Sequence, residues 1–416
     1  MKMKTRFILI AILPALVCCS GNNNQRDNLD TVVETTVRAS LGALERAVEE
    51  IQDTLSYPTY ATRDELKWRT KSSKNWVSGF WPGCLWYASI LSGDQRFEQW
   101  AKRWTSGIEK EKYNTATHDL GFRFMCTFGN AVRFDPERYS ASYTPIILTA
   151  AETLSKLYHP EFSALCSNWD EKTAPEGTTP CIIDIMMNLE LLFWAANHGG
   201  NPEWKQICIN HANTTWRDFR REDGGTYHIV RYDSKTGAIV DKNQLQGDVK
   251  ESTWSRGHAW LVYGLVVCYR YTGDIIWLDR AKMAADYFIR NLNPDGIANW
   301  DFQSNINYTD ASASAVVCSA LYEMVSFLPE GREKDYYTAE ADRMLSSLCS
   351  PSYFIGRDSS CLLAHSVRYY HKKDGDQNPN IDEPSIFADY YFLEALYRYK
   401  TLGITHKNRI FVVQDR

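Results

Sequence analysis

The 416-residue sequence predicts an all-α fold, six helical hairpins closed into an α/α barrel, and three observations lead there. Apolar residues recur at helical spacing almost throughout. Strand-like alternation is brief, clearest over Gly225–Tyr232. A weak repeat of helix pairs runs through the chain, as at Trp194–Gly200 and Tyr269–Asp274, where an apolar helix, a tight turn and a more charged helix follow one another.

In chain order, helices are expected near 30–54, 81–92, 94–108, 119–133, 142–158, 182–198, 202–220, 253–272, 275–291, 311–328, 333–348 and 384–401. Gly, Pro, Asn and Asp punctuate the gaps, because these residues accept turn conformations and end helices. Twelve helices divide into six antiparallel hairpins with no domain linker among them. An open solenoid keeps a regular period. Here the gaps at 159–181, 221–252 and 349–383 are long and carry Gly, Pro, Trp, His and Ser. Long loops on a rigid scaffold are where sites are built, which favours a closed toroid with its site at one rim.

The N-terminus stands apart. Lys2 and Lys4 precede an apolar run from Phe7 to Val17, then Cys18, Cys19 and a polar stretch. A basic start, a short apolar run and a small-residue junction make a secretory signal too short to span a bilayer. Leu16-Val17-Cys18-Cys19 resembles a bacterial lipoprotein box with Cys19 as the acylated residue. The domain expectation is therefore a lipoprotein-type signal over 1–19, a polar linker over 20–29, and one catalytic domain over 30–416, placed in the cell envelope, periplasmic or membrane-anchored. The nine cysteines beyond the signal are scattered singly, with no CxxC, and read mostly as small buried hydrophobes.

Composition narrows the function. Net charge is −5 and no Lys/Arg run occurs, which sets nucleic acid aside as a partner. No P-loop, dinucleotide fingerprint, GxSxG or metal-ligand spacing is present, so neither a cofactor nor a metal is expected. Fourteen Trp and 24 Tyr are mainly core fillers, yet several lie beside polar clusters, where aromatic faces stack on sugar rings.

Two aspartates carry the chemistry. Asp184 lies in Cys181-Ile182-Ile183-Asp184-Ile185-Met186-Met187-Asn188, where nearly every neighbour is apolar. A carboxylate in such a stretch must be paired, hydrogen-bonded, or able to keep its proton. Asp119 lies in Thr117-His118-Asp119-Leu120-Gly121-Phe122, next to a histidine. A carboxyl group poised between acid and base is the usual tool of sugar chemistry. In Ser252-Thr253-Trp254-Ser255-Arg256-Gly257-His258-Ala259-Trp260, Arg256 and Trp260 fall at i and i+4 on one helix face. That pair suits a ligand with both a carboxylate and a ring, or else Arg256 is paired with a core acid. Gln246 upstream suits hydroxyl groups, His228 lies in the short strand, and Trp169 lies in the long loop before Asp184. Asp310 and Asp382-Glu383 read as helix caps.

Together the motifs resemble the unsaturated glucuronyl hydrolases, glycoside hydrolase family 88. The resemblance rests on His118-Asp119, Ile182–Asn188, Thr253–Trp260 and Asp389-Tyr390-Tyr391-Phe392-Leu393-Glu394-Ala395-Leu396, in family order over roughly 30–402. It implies an (α/α)6 barrel that removes a Δ4,5-unsaturated uronic acid from the non-reducing end of lyase-generated oligosaccharides. The reaction implied is hydration of the C4=C5 vinyl ether, not displacement at the anomeric carbon. By position Asp184 matches the family's acid/base and Asp119 its partner carboxylate. Trp81, His118, Trp169, His228, Gln246, Arg256 and Trp260 fall where the family lines its substrate pocket. Leu245 departs from the family, which often has His before the Gln. Near the C-terminus some relatives carry a Ser/Lys sulfate-binding pattern; Ser366 fits it, Tyr369 and His371 replace the partners, and Lys372 and Lys373 stand nearby. Hyaluronan, chondroitin, heparin and heparan sulfate fragments all remain compatible. The alternatives are an unsaturated rhamnogalacturonyl hydrolase acting on pectin fragments and a non-catalytic glycan-binding lipoprotein.

Overall fold

The computed structural model describes residues 20–167, 175–370 and 381–407. Cys18, Cys19, Trp169, His371, Lys372 and Lys373 lie outside the described residues. The helices are α1 (Ser20–Ile51), α2 (Phe80–Ser92), α3 (Gln95–Ile108), α4 (Leu120–Phe124), α5 (Asn130–Phe134), α6 (Pro136–Ser155), α7 (Ile185–Asn197), α8 (Trp204–Asp218), α9 (Ser255–Thr272), α10 (Ile275–Arg290), α11 (Ala311–Phe327), α12 (Arg332–Leu348) and α13 (Ile386–Lys407). A π-helical turn, Met125–Gly129, joins α4 to α5, so these two form one interrupted helix.

Burial sorts the helices into two layers. Every residue of α7 from Ile185 to Ala195 is buried, as is every residue of α11 from Ala311 to Tyr322. Such helices are apolar all round and belong inside. In α3, by contrast, Phe97, Ala101, Trp104, Thr105 and Ile108 form one buried stripe, so it lies outside. The inner helices α2, α4–α5, α7, α9, α11 and α13 each touch the next, and α13 packs on both α11 and α2. The ring is closed. This is the six-hairpin barrel that the spacing predicts.

Turn chemistry at the inner-to-outer connections is repeated. Gly93 (φ 71°) ends α2 and Asp94 caps α3; Gly273 (φ 67°) ends α9 and Asp274 caps α10. Both glycines sit in the left-handed conformation that costs other residues energy, and each following Asp accepts an N–H of the next helix. At this end the C-termini of the inner helices meet in a buried charged cluster. Glu190 accepts from Arg133 at 2.6 Å and Arg270 at 2.5 Å. Glu323 accepts from Arg270 at 2.6 Å and pairs with Arg398 at 2.8 Å, while Glu394 accepts from Tyr87 at 2.7 Å and Ser319 at 2.7 Å. Three Arg and three Glu balance, so the charges tolerate burial together.

The opposite end, at the inner N-termini, collects the long connections. There β1 (Tyr57–Ala61) pairs with β2 (Trp68–Lys71), and β3 (Tyr158–His159) pairs with β4 (Ala164–Leu165). A three-stranded antiparallel sheet follows, β5 (Thr178–Ile182), β6 (Ile229–Asp233) and β7 (Ile239–Asn243), with β6 central.

Three boundaries differ from expectation. Residues 20–29, expected as a linker, continue α1, because each helical residue adds a hydrogen bond even where no apolar face requires it. α6 starts at Pro136, not 142, because Asp135 caps Arg138 N and Pro fits the first helical position. α7 starts at Ile185, not 182, since β-branched Thr178, Thr179 and Ile182 pair with β6. The nine described cysteines are all buried and unpaired.

One buried acid outside the charged cluster gives a stability prediction. Asp389, near the start of α13, accepts N–H groups from Leu363 at 2.9 Å and Leu362 at 3.0 Å. Burial pushes its carboxyl up to about 7, against the lowering effect of those two donors. The folded state therefore holds a proton that the unfolded chain releases near 3.8. The resulting stabilisation is complete below the unfolded value and is lost as pH rises towards 7, on the order of 4 kcal/mol in total. The difference in urea stability between wild type and Asp389→Asn should track that window. A difference that does not change with pH would show that Asp389 ionises normally.

Candidate active site

The sheet brings the polar groups to the barrel mouth. Ile182 of β5 pairs with Ile229 of β6, and the Ile183 N–H donates to His228 O at 3.0 Å. His228 N–H in turn donates to Asn243 O at 3.1 Å. This register sets Asp184, two residues past β5, beside His228, one residue before β6. Their side chains stand 3.4 Å apart, His228 Nε2 to Asp184 Oδ2. That distance does not meet hydrogen-bond geometry, and among the described residues no donor reaches the buried Asp184 Oδ2.

Asp119 approaches from the neighbouring inner helix. Asn188, one turn into α7, donates to Asp184 O at 3.2 Å and accepts Phe122 N–H at 3.1 Å. Gly121 makes this contact feasible: a Cβ there would stand 2.5 Å from Asn188 Cα. The two N-termini are thereby pinned together.

Both carboxylates occupy the residue before a helix, yet neither caps it. Asp94, Asp135, Asp274 and Asp310 hold the same position, and each accepts a backbone N–H of its helix. Capping therefore does not explain Asp119 or Asp184. Asp119 instead faces His118 Nε2 at 3.2 Å and accepts Thr117 Oγ1–H at 2.9 Å. Burial works to raise the Asp119 carboxyl, but the charge and hydrogen bond of His118, with Arg123 and Thr117, hold it below the ordinary range. Burial works to lower His118, and Asp119 outweighs it, leaving the imidazole raised. Asp119 is thus the ionised partner and His118 its cation.

Arg256 differs from the carboxylate anchor that the sequence allows. It is buried, ion-paired to Asp310 at 2.8 Å, and donates to Val367 O at 2.7 Å and Arg368 O at 3.0 Å. Its guanidinium lies over Trp254 at 4.7 Å and Phe387 at 4.8 Å. The core-acid alternative describes this residue. Gln246 is partly exposed, and its Oε1 stands 3.5 Å from Arg256 Nη2. Trp254 also supports His228, their rings 4.8 Å apart and edge-on. Gly257 leaves room for that indole, since a Cβ would lie 2.5 Å from it.

Two expected sugar platforms lie in the core. Trp81 is fully buried and meets Trp104 of α3 edge-on at 5.6 Å, between the two layers. Adjacent helix residues point about 100° apart, and it is Phe80 that joins the inner aromatic cluster with Phe122. Trp260 is fully buried between Phe122 and Tyr391, one turn below Arg256. Trp76, partly exposed in the 3-10 turn ahead of α2 and stacked on Phe387 at 5.4 Å, occupies the mouth instead. Asn188 and Trp76 are missed by sequence reasoning; Asn188 at one helical turn from Asp184 was the available signal. Among the described residues no cluster of His, Cys, Asp and Glu has metal-holding geometry.

Comparison with known proteins decides the family. No family model matches the chain. An unsaturated glucuronyl hydrolase of Formosa agariphila is 37% identical over 337 residues, covering 79% of this chain and 81% of that protein. The chain belongs to the unsaturated glucuronyl hydrolase family. An unsaturated chondroitin disaccharide hydrolase of Streptococcus agalactiae is 30% identical, covering 86% of this chain and 90% of the relative. A solved unsaturated glucuronyl hydrolase specific for heparin has a TM-score of 0.82 at 32% identity, covering 90% of this chain and 98% of its own. An unsaturated glucuronyl hydrolase is a glycoside hydrolase, and the fold agrees with that assignment. Neither the pectin-directed alternative nor the non-catalytic binder is favoured.

The asymmetry of the two carboxylates gives a direct test. Asp119→Asn should fold normally and lose about 10²- to 10³-fold in kcat, because the amide removes the negative charge available to stabilise a developing cation. Loss of ultraviolet absorbance from an unsaturated disaccharide reads the rate and circular dichroism reads the fold. Normal turnover would make Asp119 a structural acid.

Proposed function

We propose that this glucuronyl hydrolase removes the Δ4,5-unsaturated uronic acid from the non-reducing end of lyase-generated glycosaminoglycan oligosaccharides, with Asp184 as acid and then base. One observation carries the assignment: the Asp184 side chain stays 13% exposed at the mouth of the barrel and caps no helix, while Asp119 beside His118 is held below the ordinary carboxylate range. An acid must present a proton-bearing oxygen that no protein group occupies.

The protonated Asp184 gives its proton to C4 of the vinyl ether, and positive charge develops at C5 and the ring oxygen. Asp119 stabilises that charge electrostatically. Water adds at C5 and loses a proton to the Asp184 carboxylate, which restores the acid. The C5 hemiketal opens, and the anomeric carbon then releases the remaining sugar as it becomes an aldehyde. The double bond is consumed, so absorbance falls with each turnover. His228 orients Asp184 and Gln246 meets sugar hydroxyls.

The test is a panel of lyase-generated disaccharides from chondroitin, hyaluronan and heparin, with and without sulfate, followed by absorbance loss. Turnover of none of them would reject the assignment. The relatives named for heparin and for chondroitin disaccharides make both classes the first to assay.

The basic start, apolar run and Cys19 further support an envelope lipoprotein. Incorporation of labelled palmitate that disappears in Cys19→Ser is the expected result; unlabelled wild type would reject the anchor.

A further inference from the structure

Three buried arginines face a carboxylate, at unequal distances. Arg256 stands 2.8 Å from Asp310 and Arg231 stands 3.0 Å from Asp241, whereas Arg123 stands 3.6 Å from Glu111. Glu111 is held by closer donors, Ser73 Oγ–H at 2.7 Å and Asn114 Nδ2–H at 2.9 Å. Arg123 Nη2 donates to Lys74 O at 2.5 Å. Its Nε and Nη1 are buried without an acceptor among the described residues, and the residue is only 1% exposed. A guanidinium taken so far out of water carries a charge that its loosely held carboxylate compensates only in part.

Helix geometry says what that charge acts on. Arg123 follows Asp119 by four residues and its N–H donates to Asp119 O at 3.3 Å, so both lie on one face of the first turn of α4. Side chains on a helix lean towards its N-terminus, which turns the Arg123 stem back towards Asp119. Asp119 acts on Arg123 more strongly than Glu111 does, and Arg123 in turn helps to hold Asp119 below the ordinary carboxylate range. The same side chain reaches the turn that carries Trp76. Lys74 directly precedes that turn, and a Cβ on its last residue, Gly79, would stand 2.7 Å from Arg123 Cα. From this arrangement, and resting on the reaction assigned above, we infer that Arg123 is a positioning residue for the hydration. Its guanidinium supplies the positive charge behind Asp119 and ties the helix of that carboxylate to the turn of Trp76. It lies too deep to meet a sugar itself. The other charged groups around Asp119 are His118 beside it and, through His118, Asp184 at the start of α7 and His211 of α8. Glu111 faces Arg123 from the turn at Glu109–Tyr113.

The experiment follows kcat against pH for wild type, Arg123→Gln and Arg123→Lys on an unsaturated chondroitin disaccharide, with circular dichroism at each pH. Removing a cation from beside a carboxylate raises its pKa, so the ionised form is lost sooner as pH falls. Arg123→Gln should therefore lose kcat on the acid side about one pH unit above wild type, with the plateau changed less than about threefold. Arg123→Lys keeps the charge and should leave that limb close to wild type, although it loses the planar fork that reaches Lys74 O. If Arg123→Gln does not fold, Arg123→Met/Glu111→Gln removes both buried charges together and carries the same expectation. An unmoved acid limb in the variant without the charge would overturn the inference. So would an equal fall of kcat at every pH in Arg123→Gln and Arg123→Lys, which marks packing alone. Carbon-13 titration of the aspartate carboxyls reads the contact without turnover, the Asp119 signal being the one lost in Asp119→Asn. That signal should titrate at higher pH in Arg123→Gln than in wild type, and an unchanged titration would overturn the inference. Normal turnover by Asp119→Asn would count against the reaction assigned to Asp119, while the higher titration still supports the contact with Arg123.

Discussion

Asp184→Asn should abolish measurable turnover, a loss of at least about 10³-fold in kcat, while leaving the barrel intact. The amide keeps the shape of the side chain and cannot deliver a proton to carbon. No neighbour can substitute. His118 and Asp119 form a charged pair in which burial's upward pressure on the carboxyl is outweighed by the imidazolium, so Asp119 carries no proton to give. His228 is fixed by β6 and faces Asp184 itself. The loss should fall on kcat with substrate affinity largely kept, because the proton is exchanged only in the transition state. Absorbance loss under saturating substrate measures it, with calorimetry for affinity. Residual turnover within about tenfold of wild type would move the acid to another group and remove the basis of the mechanism.

Arg256→Ala is expected to unfold the mouth of the barrel instead of merely weakening substrate binding. As an exposed carboxylate anchor, Arg256 would affect mainly KM. The structure places it with its Asp310 partner essentially inaccessible to water, the two side chains 2% and 0% exposed. Burial works to raise Asp310 and to lower Arg256, each offset in part by the other. Removing the guanidinium strands Asp310 without its counter-ion and frees the Val367 and Arg368 carbonyls. Loss of one partner of such a pair typically costs about 3–5 kcal/mol. Chemical denaturation should therefore show a large fall in stability, with kcat/KM falling as well. A double variant that also converts Asp310 to Asn should recover part of the stability, since it removes the stranded charge. An Arg256→Ala protein as stable as wild type, with only KM raised, would return Arg256 to the role of substrate anchor.

These two residues show what kind of inference sequence supports. Asp184 was legible because its surroundings were local: apolar neighbours on both sides made an acid there anomalous. Asp119 was legible through His118 beside it. Helix positions were legible for the same reason, since the 3.6-residue period and the Gly-Asp turns at Gly93-Asp94 and Gly273-Asp274 are written in consecutive residues. Arg256, Trp81 and Trp260 were read from their chemistry alone, and chemistry does not say which way a side chain points. Trp81 turned outward to Trp104 because helix phase, not residue type, sets direction.

What the amino-acid order alone determined is the α/α barrel, its twelve helical segments and the family. Only the folded chain decided that Arg256 serves Asp310 and that Asn188 ties the helix starts after Asp119 and Asp184 together. Those outcomes join residues 54 and 66 positions apart. Partners so distant are chosen by ring closure and by burial, which convert an unpaired charge from a surface detail into a large energetic constraint.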